Sequence, residues 1–300
     1  MTNLSGCMTA LVTPFDKELE VDYRGLRENV SFQIKNGVTG LVPLGTTGEA
    51  PTITEAETER VIEAVVAEAS GRAPVIVGTG SNSTAKTIKN TRDAARLGAS
   101  AALVVTPYYN RPSQEGVFRH FEAVAKASSI PVIVYNIASR TGTNIETQTL
   151  LRMSRIENIV GVKEASGSIV QMEDVIRQLP EDFIVLSGDD TMTLPLMALG
   201  GRGVISVVSN LLPKATSEMT RLALEGDFKS ARKIHYRLLP IMRGAFMEGS
   251  PVPIKTAMAL SGFPSGGVRL PLCELMLENL ERLKAIVSKY DELKVSQHNH

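Results

Sequence analysis

The sequence predicts a (β/α)₈ barrel followed by a helical C-terminal extension, and three observations carry that prediction. Short runs rich in Val and Ile alternate with amphipathic, charge-bearing segments roughly every thirty residues up to about residue 225. Most of the runs, such as PVIVGTG and PVIVYNI, are continuously apolar, as strands buried on both faces of a parallel sheet must be. No long structureless break interrupts the series, which favours a closed barrel over the nearest alternative, a doubly wound open sheet.

In chain order, strands are expected at 8–12, 40–45, 74–79, 101–106, 131–136, 159–164, 183–187 and 203–208. The segments between them read as helices. In TEAETERVIEAVVAEASG, Thr54 followed by Glu57 is a capping box and Gly71 a stop signal, and STAKTIKNTRDAARLG repeats the logic. After about residue 226 the strands cease. Helical patterns at 227–247, 251–261 and 271–293 follow, punctuated by Pro251, Pro253, Pro264 and Pro271. The organisation expected is a catalytic barrel over 1–225 and a helical region over 226–300. The stripe Leu275, Leu277, Leu280, Leu283 and Ile286 needs cover, from the barrel or from a partner subunit.

Composition narrows the function. The chain has 300 residues with 32 basic and 32 acidic side chains, 43% hydrophobic positions and two cysteines, enough for a large core without staples. Balanced charge with no basic block excludes a nucleic-acid binder. No apolar run approaches the length of a membrane span, and Leu4-Ser5-Gly6-Cys7 resembles a lipoprotein box only by coincidence, since nothing like a signal segment precedes it. Cys7 and Cys273 lie far apart with no CxxC pairing, which suits a reducing, cytoplasmic setting. His120, His235, His298 and His300 have no metal-ligand spacing, and the last two sit in a polar tail, Gln297 to His300, expected to fray. GTGSN at 78–82 falls short of a nucleotide fingerprint, so neither metal nor organic cofactor is implied.

In such a barrel the chemistry lies at the C-terminal ends of the strands. Four places there carry candidate groups: Gly45-Thr46-Thr47-Gly48-Glu49, Pro107-Tyr108-Tyr109-Asn110, Tyr135 with Arg140 beyond it, and Lys163 in IVGVKEASG. Lys163 is the sharpest, because four apolar or small residues precede it and burial disfavours an ammonium. Bringing a lysine from about 10.4 to near 7 or 8 takes roughly 3 to 5 kcal/mol, within reach of desolvation. The neutral amine can then attack a carbonyl and form a Schiff base. The bland alternative is a lysine snorkelling to water or paired with Glu164; Gly161, by leaving room inside the barrel, weighs against it. Tyr135 belongs at the mouth, as a general acid and base or as a packing residue. GTTGE offers N–H groups and hydroxyls to a small carboxylate. Arg140 is a fork suited to a second carboxylate or an exposed loop residue, and Tyr108 and Tyr109 suit an interface.

Taken together these residues resemble the dihydrodipicolinate synthase and N-acetylneuraminate lyase family of class I aldolases. ALVTPF, GLVPLGTTGEAPTITEAE, VVTPYYNRPSQEG, YNIASRTG, VGVKEASG, LSGDD and GVISV occur in order and with family spacing over essentially the whole chain. The resemblance implies a homotetramer that uses pyruvate as its Schiff-base partner and no cofactor. It implies that Lys163 forms the imine, that Tyr135 shuttles protons, and that Thr46 links Tyr135 to Tyr109 of a neighbouring subunit. Thr46 and Thr47 would hold the pyruvate carboxylate. Arg140 would hold that of the second substrate, with Gly188, Asp189 and the carbonyl of Ile205 lining its pocket. GTTGE and the arginine of SRTG point to the synthase branch, in which the enamine attacks the aldehyde of aspartate semialdehyde. A lyase acting on a sugar acid or another 2-keto acid, and a silent keto-acid-binding paralogue, are the alternatives.

Two departures stand out. Ala138 occupies a position where the family usually has proline. At the interface where some members bind lysine, the matching residues are Lys86, Glu55 and Thr58, with Asn82 and Tyr108 retained, so lysine inhibition is expected to be weak or absent.

Overall fold

The computed structural model describes residues 4–293. The tail from Gln297, with His298 and His300, lies outside them. The eight strands are β1 (Gly6–Ala10), β2 (Gly40–Val42), β3 (Ile76–Gly78), β4 (Ala101–Val105), β5 (Val132–Asn136), β6 (Ile159–Glu164), β7 (Ile184–Ser187) and β8 (Gly203–Ser206). All pair in parallel in the order β2-β1-β8-β7-β6-β5-β4-β3. The two ends of that row meet: Leu41 bridges Val75, and the Gly78 N–H donates to the Pro43 carbonyl at 3.0 Å. A Cβ on Gly78 would lie 2.1 Å from the Leu44 carbonyl oxygen, so only glycine lets the seam close.

Only β6 keeps the expected limits; the other strands are shorter or shifted by one to three residues, and at β2 and β1 backbone hydrogen bonding gives the reason. β2 ends at Val42, because Pro43 has no N–H to donate and Leu44 turns left-handed at φ 58. β1 runs over Gly6–Ala10, two residues earlier than expected. Leu11 and Val12 continue the apolar pattern but sit on the rim, where the Asn210 side-chain oxygen takes the Val12 N–H at 3.1 Å.

The barrel helices are α1 (Tyr23–Lys35), α2 (Glu55–Ala69), α3 (Thr84–Arg96), α4 (Gln114–Ala127), α5 (Ala138–Thr141), α6 (Thr147–Met153), α7 (Ile169–Gln178), α8 (Thr193–Ala198) and α9 (Pro213–Leu224). Their starts follow the chain's own signals. Thr54 and Glu57 form the reciprocal capping box of α2, and Ser83, Ser113 and Ser168 cap α3, α4 and α7. After Gly226 come α10 (Phe228–Gly244), α11 (Val252–Leu260) and α12 (Leu277–Val287). α12 begins later than the expected residue 271, because the Glu248 carboxylate receives the Met276 N–H at 3.1 Å and fixes the helix start there.

The core has an inner and an outer layer. Met8, Val42, Ile76, Leu103, Ile133, Tyr135, Leu186 and Ile205 fill the barrel interior. Outside it, Leu238, Ile241, Met242, Ile254 and Leu283 of the last helices share one apolar cluster with Leu194, Val208, Leu211 and Met219. The chain thus covers Leu283 itself, and Ile286 packs beside it, whereas Leu277 stays 74% exposed. Among the described residues no helix is long and apolar enough to cross a membrane, and no group of three or more His, Cys, Asp or Glu side chains is arranged to hold a metal ion.

Candidate active site

Alternation along β6 turns Lys163 into the barrel and Glu164 out of it, so the two do not pair. Glu164 instead accepts from the Ser166 N–H and the Asn136 amide, with burial pushing its carboxyl up. Lys163 is 6% exposed. In the β5–β6 register it stands opposite Tyr135, and its Nζ lies 4.1 Å from the centre of that ring. Burial brings the amine down to about 7, with the Arg140 charge acting the same way and the Asp190 carboxylate opposing.

Gly161 has a different role from the one expected. A Cβ there would meet the Ile184 carbonyl oxygen at 2.5 Å, so Ile184 occupies the space and the glycine permits close approach of β7. Room for the lysine comes from Gly188, where a Cβ would lie 3.0 Å from Lys163 Cε. Gly188, which the resemblance places along the second substrate's pocket, lies against the stem of the lysine.

Tyr135 is buried, which pushes its phenol up to about 12, with the Arg140 charge and the Thr46 side chain acting in the opposite direction. Thr46 and Thr47 ride on a turn in which the Gly48 N–H donates to the Gly45 carbonyl at 3.2 Å and the Glu49 N–H to the Thr46 carbonyl at 3.1 Å. Both ends of this turn are left-handed without glycine, at Leu44 (φ 58) and Glu49 (φ 54). The Thr13 hydroxyl donates to the Gly48 carbonyl at 2.7 Å. Glu49 is buried with Lys255 of α11, Nζ to Oε1 2.7 Å, both side chains 1% exposed.

Arg140 lies on α5 at the mouth, its Nη2 donating to the Ser250 carbonyl at 3.4 Å. Ala138 is the first residue of α5, a helical position that also accepts proline. The turn closes through the Thr141 and Gly142 N–H groups on the Ile137 and Ala138 carbonyls. The Asp189 carboxylate receives the Thr191 N–H and hydroxyl, both at 2.7 Å, which fixes the loop after β7. Ile205 is buried in β8.

Sequence reasoning missed Asp190, although it stands in the quoted LSGDD. It is buried, accepts from the Val207 and Val208 N–H groups at 2.9 and 3.2 Å, and lends its charge to Lys163.

Tyr109 stands apart from this group within one chain. It is 89% exposed on a left-handed backbone (φ 72), next to Tyr108 and to Asn110, whose amide donates to the Asn82 carbonyl at 2.9 Å. Glu55 and Lys86 are exposed near the starts of α2 and α3, and Thr58 follows one turn into α2.

A buried amine facing a phenol, beside a turn rich in hydroxyls, is the constellation of a Schiff-base enzyme, and the similarities are of one kind. The model of the dihydrodipicolinate synthetase family matches residues 3–290. The chain belongs to that family. Among relatives of the family, a 4-hydroxy-tetrahydrodipicolinate synthase of Protochlamydia amoebophila is 50% identical over 289 residues, covering 95% of this chain and 96% of the relative. A solved structure of the enzyme of that name from Methylacidiphilum fumariolicum SolV superposes with a TM-score of 0.95 at 42% identity, covering 99% of both chains. A chloride-inhibited dihydrodipicolinate synthase from Acinetobacter baumannii, solved with pyruvate, superposes at 0.94 with 39% identity over 95% of this chain and 98% of that one.

Proposed function

We propose that the chain carries the activity its relatives are named for, 4-hydroxy-tetrahydrodipicolinate synthase, condensing pyruvate with aspartate 4-semialdehyde. The observation that carries this reading is Lys163, an amine held dry at about 7 and set against Tyr135. Neutral Nζ attacks C2 of pyruvate, and loss of water leaves an iminium. A proton leaves C3 to give the enamine, whose C3 attacks the aldehyde carbon of the second substrate. The amine of that substrate then adds to C2 and displaces Lys163, closing the ring. Tyr135, kept protonated by burial, donates and recovers protons at the imine and the aldehyde oxygen, with Thr46 as its relay to Tyr109 of a neighbouring subunit.

Thr46 and Thr47 hold the pyruvate carboxylate. Arg140 receives the carboxylate of the semialdehyde, beside Asp189 and the Ile205 carbonyl. Tyr109, uncovered in one chain, supports assembly into the homotetramer that the family resemblance implies. Free thiols at Cys7 and Cys273 support a reducing, cytoplasmic setting. Neither the sugar-acid lyase nor the silent paralogue has an observation in its favour.

Borohydride reduction with pyruvate, followed by mass spectrometry, tests the reading. An adduct is expected on Lys163 and none in Lys163→Ala. Arg140→Ala is expected to keep imine formation within about threefold while losing roughly thirtyfold or more in kcat/KM for aspartate semialdehyde. Equal loss in both would remove Arg140 from its assigned role.

A further inference from the structure

We propose that the buried Glu49–Lys255 pair is a positioning device that holds the carboxylate-binding turn of Thr46 and Thr47 in register with Lys163; this rests on the reading of the site given above. Neither residue touches the reacting atoms. Their effect is on the turn between them and the barrel mouth.

The turn is difficult to hold. Leu44 and Glu49 are both left-handed without being glycine, a conformation that persists only where the surroundings over-determine it. Those surroundings are specific. Lys255 Nζ donates to Glu49 Oε1 at 2.7 Å and to the Thr13 carbonyl at 3.0 Å, and lies 4.1 Å above the Phe15 ring. The other carboxylate oxygen, Oε2, takes the Arg269 N–H at 3.1 Å. The Thr13 hydroxyl in turn grips the Gly48 carbonyl. One ammonium from the C-terminal extension therefore ties the Glu49 end of the turn to the Thr13 segment, whose hydroxyl holds Gly48.

Stability alone does not account for such a pair. Well-packed apolar side chains often replace a buried ion pair at no cost in stability, whereas removing one partner strands a charge. A device that serves position rather than folding should reveal itself when both charges are removed together.

The test uses the full chain and compares Glu49→Gln, Lys255→Met and the double variant. The melting temperature is read beside the pyruvate concentration that half-saturates borohydride trapping at Lys163. Each single variant is expected to melt lower than the wild type. The double variant is expected to recover most of the melting temperature while its half-saturating pyruvate concentration stays raised about tenfold to a hundredfold, the scale of a misplacement near 1 Å. KM for aspartate semialdehyde should remain within about twofold, since the pair does not border its carboxylate. A double variant with normal pyruvate saturation overturns the proposal.

Thr13→Val, which removes only the hydroxyl on Gly48, serves if the double variant does not fold. Raised half-saturation at an unchanged melting temperature supports the proposal, and a wild-type value overturns it. Wild-type protein that gives no adduct at Lys163 would overturn the functional reading itself, whereas an adduct formed normally by every variant removes only this inference.

Discussion

Among the described residues two lysines are buried at the head of the barrel, and their neighbours send them to opposite ends of lysine chemistry. Burial pushes both down. Lys255 has a carboxylate at 2.7 Å, a carbonyl and an aromatic face, which together retain its charge. Among the described residues Lys163 has no carboxylate in contact; Asp190 acts at longer range while Arg140 opposes it, and the result is an amine near 7. The rate of pyruvate imine formation is therefore expected to rise with pH through a midpoint of about 7 and then level; a midpoint near 10 would show a solvated lysine. Stability follows the same group. Its folded value lies below the unfolded one, so the unfolded chain binds more protons between about 7 and about 10.4, and stability rises across that window. Lys163→Met is accordingly expected to melt above the wild type below pH 7, the gap closing as pH approaches about 10. Thermal scans at several pH values check this.

The strand and helix rhythm was legible because each barrel element carries its own signals. β6, expected at 159–164, occupies Ile159–Glu164, since its apolar run ends where Lys163 and Glu164 meet the mouth. α2 begins at its capping box as read. Elements whose limits depend on distant partners were less legible: Pro43 stops β2, Asn210 takes the backbone past β1, and Glu248 sets the start of α12. The same distinction governs the site. Lys163, Tyr135 and the GTTGE turn stood out as unusual residues at strand ends, whereas the partner of Glu49 lies 206 positions away and the anchor role of Asp190 exists only once β7 and β8 are side by side. The starts of α2 and α3 carry the remaining element-level expectation. Lys86 stands exposed there with Glu55, and its charge repels a cationic amino acid. Millimolar lysine is expected to reduce activity by less than about twofold in a coupled assay; a saturable inhibition curve at low lysine would contradict the charge argument.

At the scale of the whole molecule, the exposed ring of Tyr109 gives the clearest expectation. If each active site borrows this phenol from a neighbour, then mixing Tyr109→Phe with Lys163→Ala subunits recreates complete sites in the hybrids. Activity should exceed the sum of the two parents after subunit exchange, and strictly additive activity would place the proton relay within one chain. The C-terminal helices bear on the whole molecule as well, since they share their apolar cluster with α8 and α9. The order of synthesis adds a consequence. Glu49 leaves the ribosome more than two hundred residues ahead of Lys255, and Arg269 emerges later still. During translation the early half of the barrel therefore carries a carboxylate bound for an apolar bed with no counter-charge to meet it, and the catalytic end can lock only when nearly the entire polypeptide has been released.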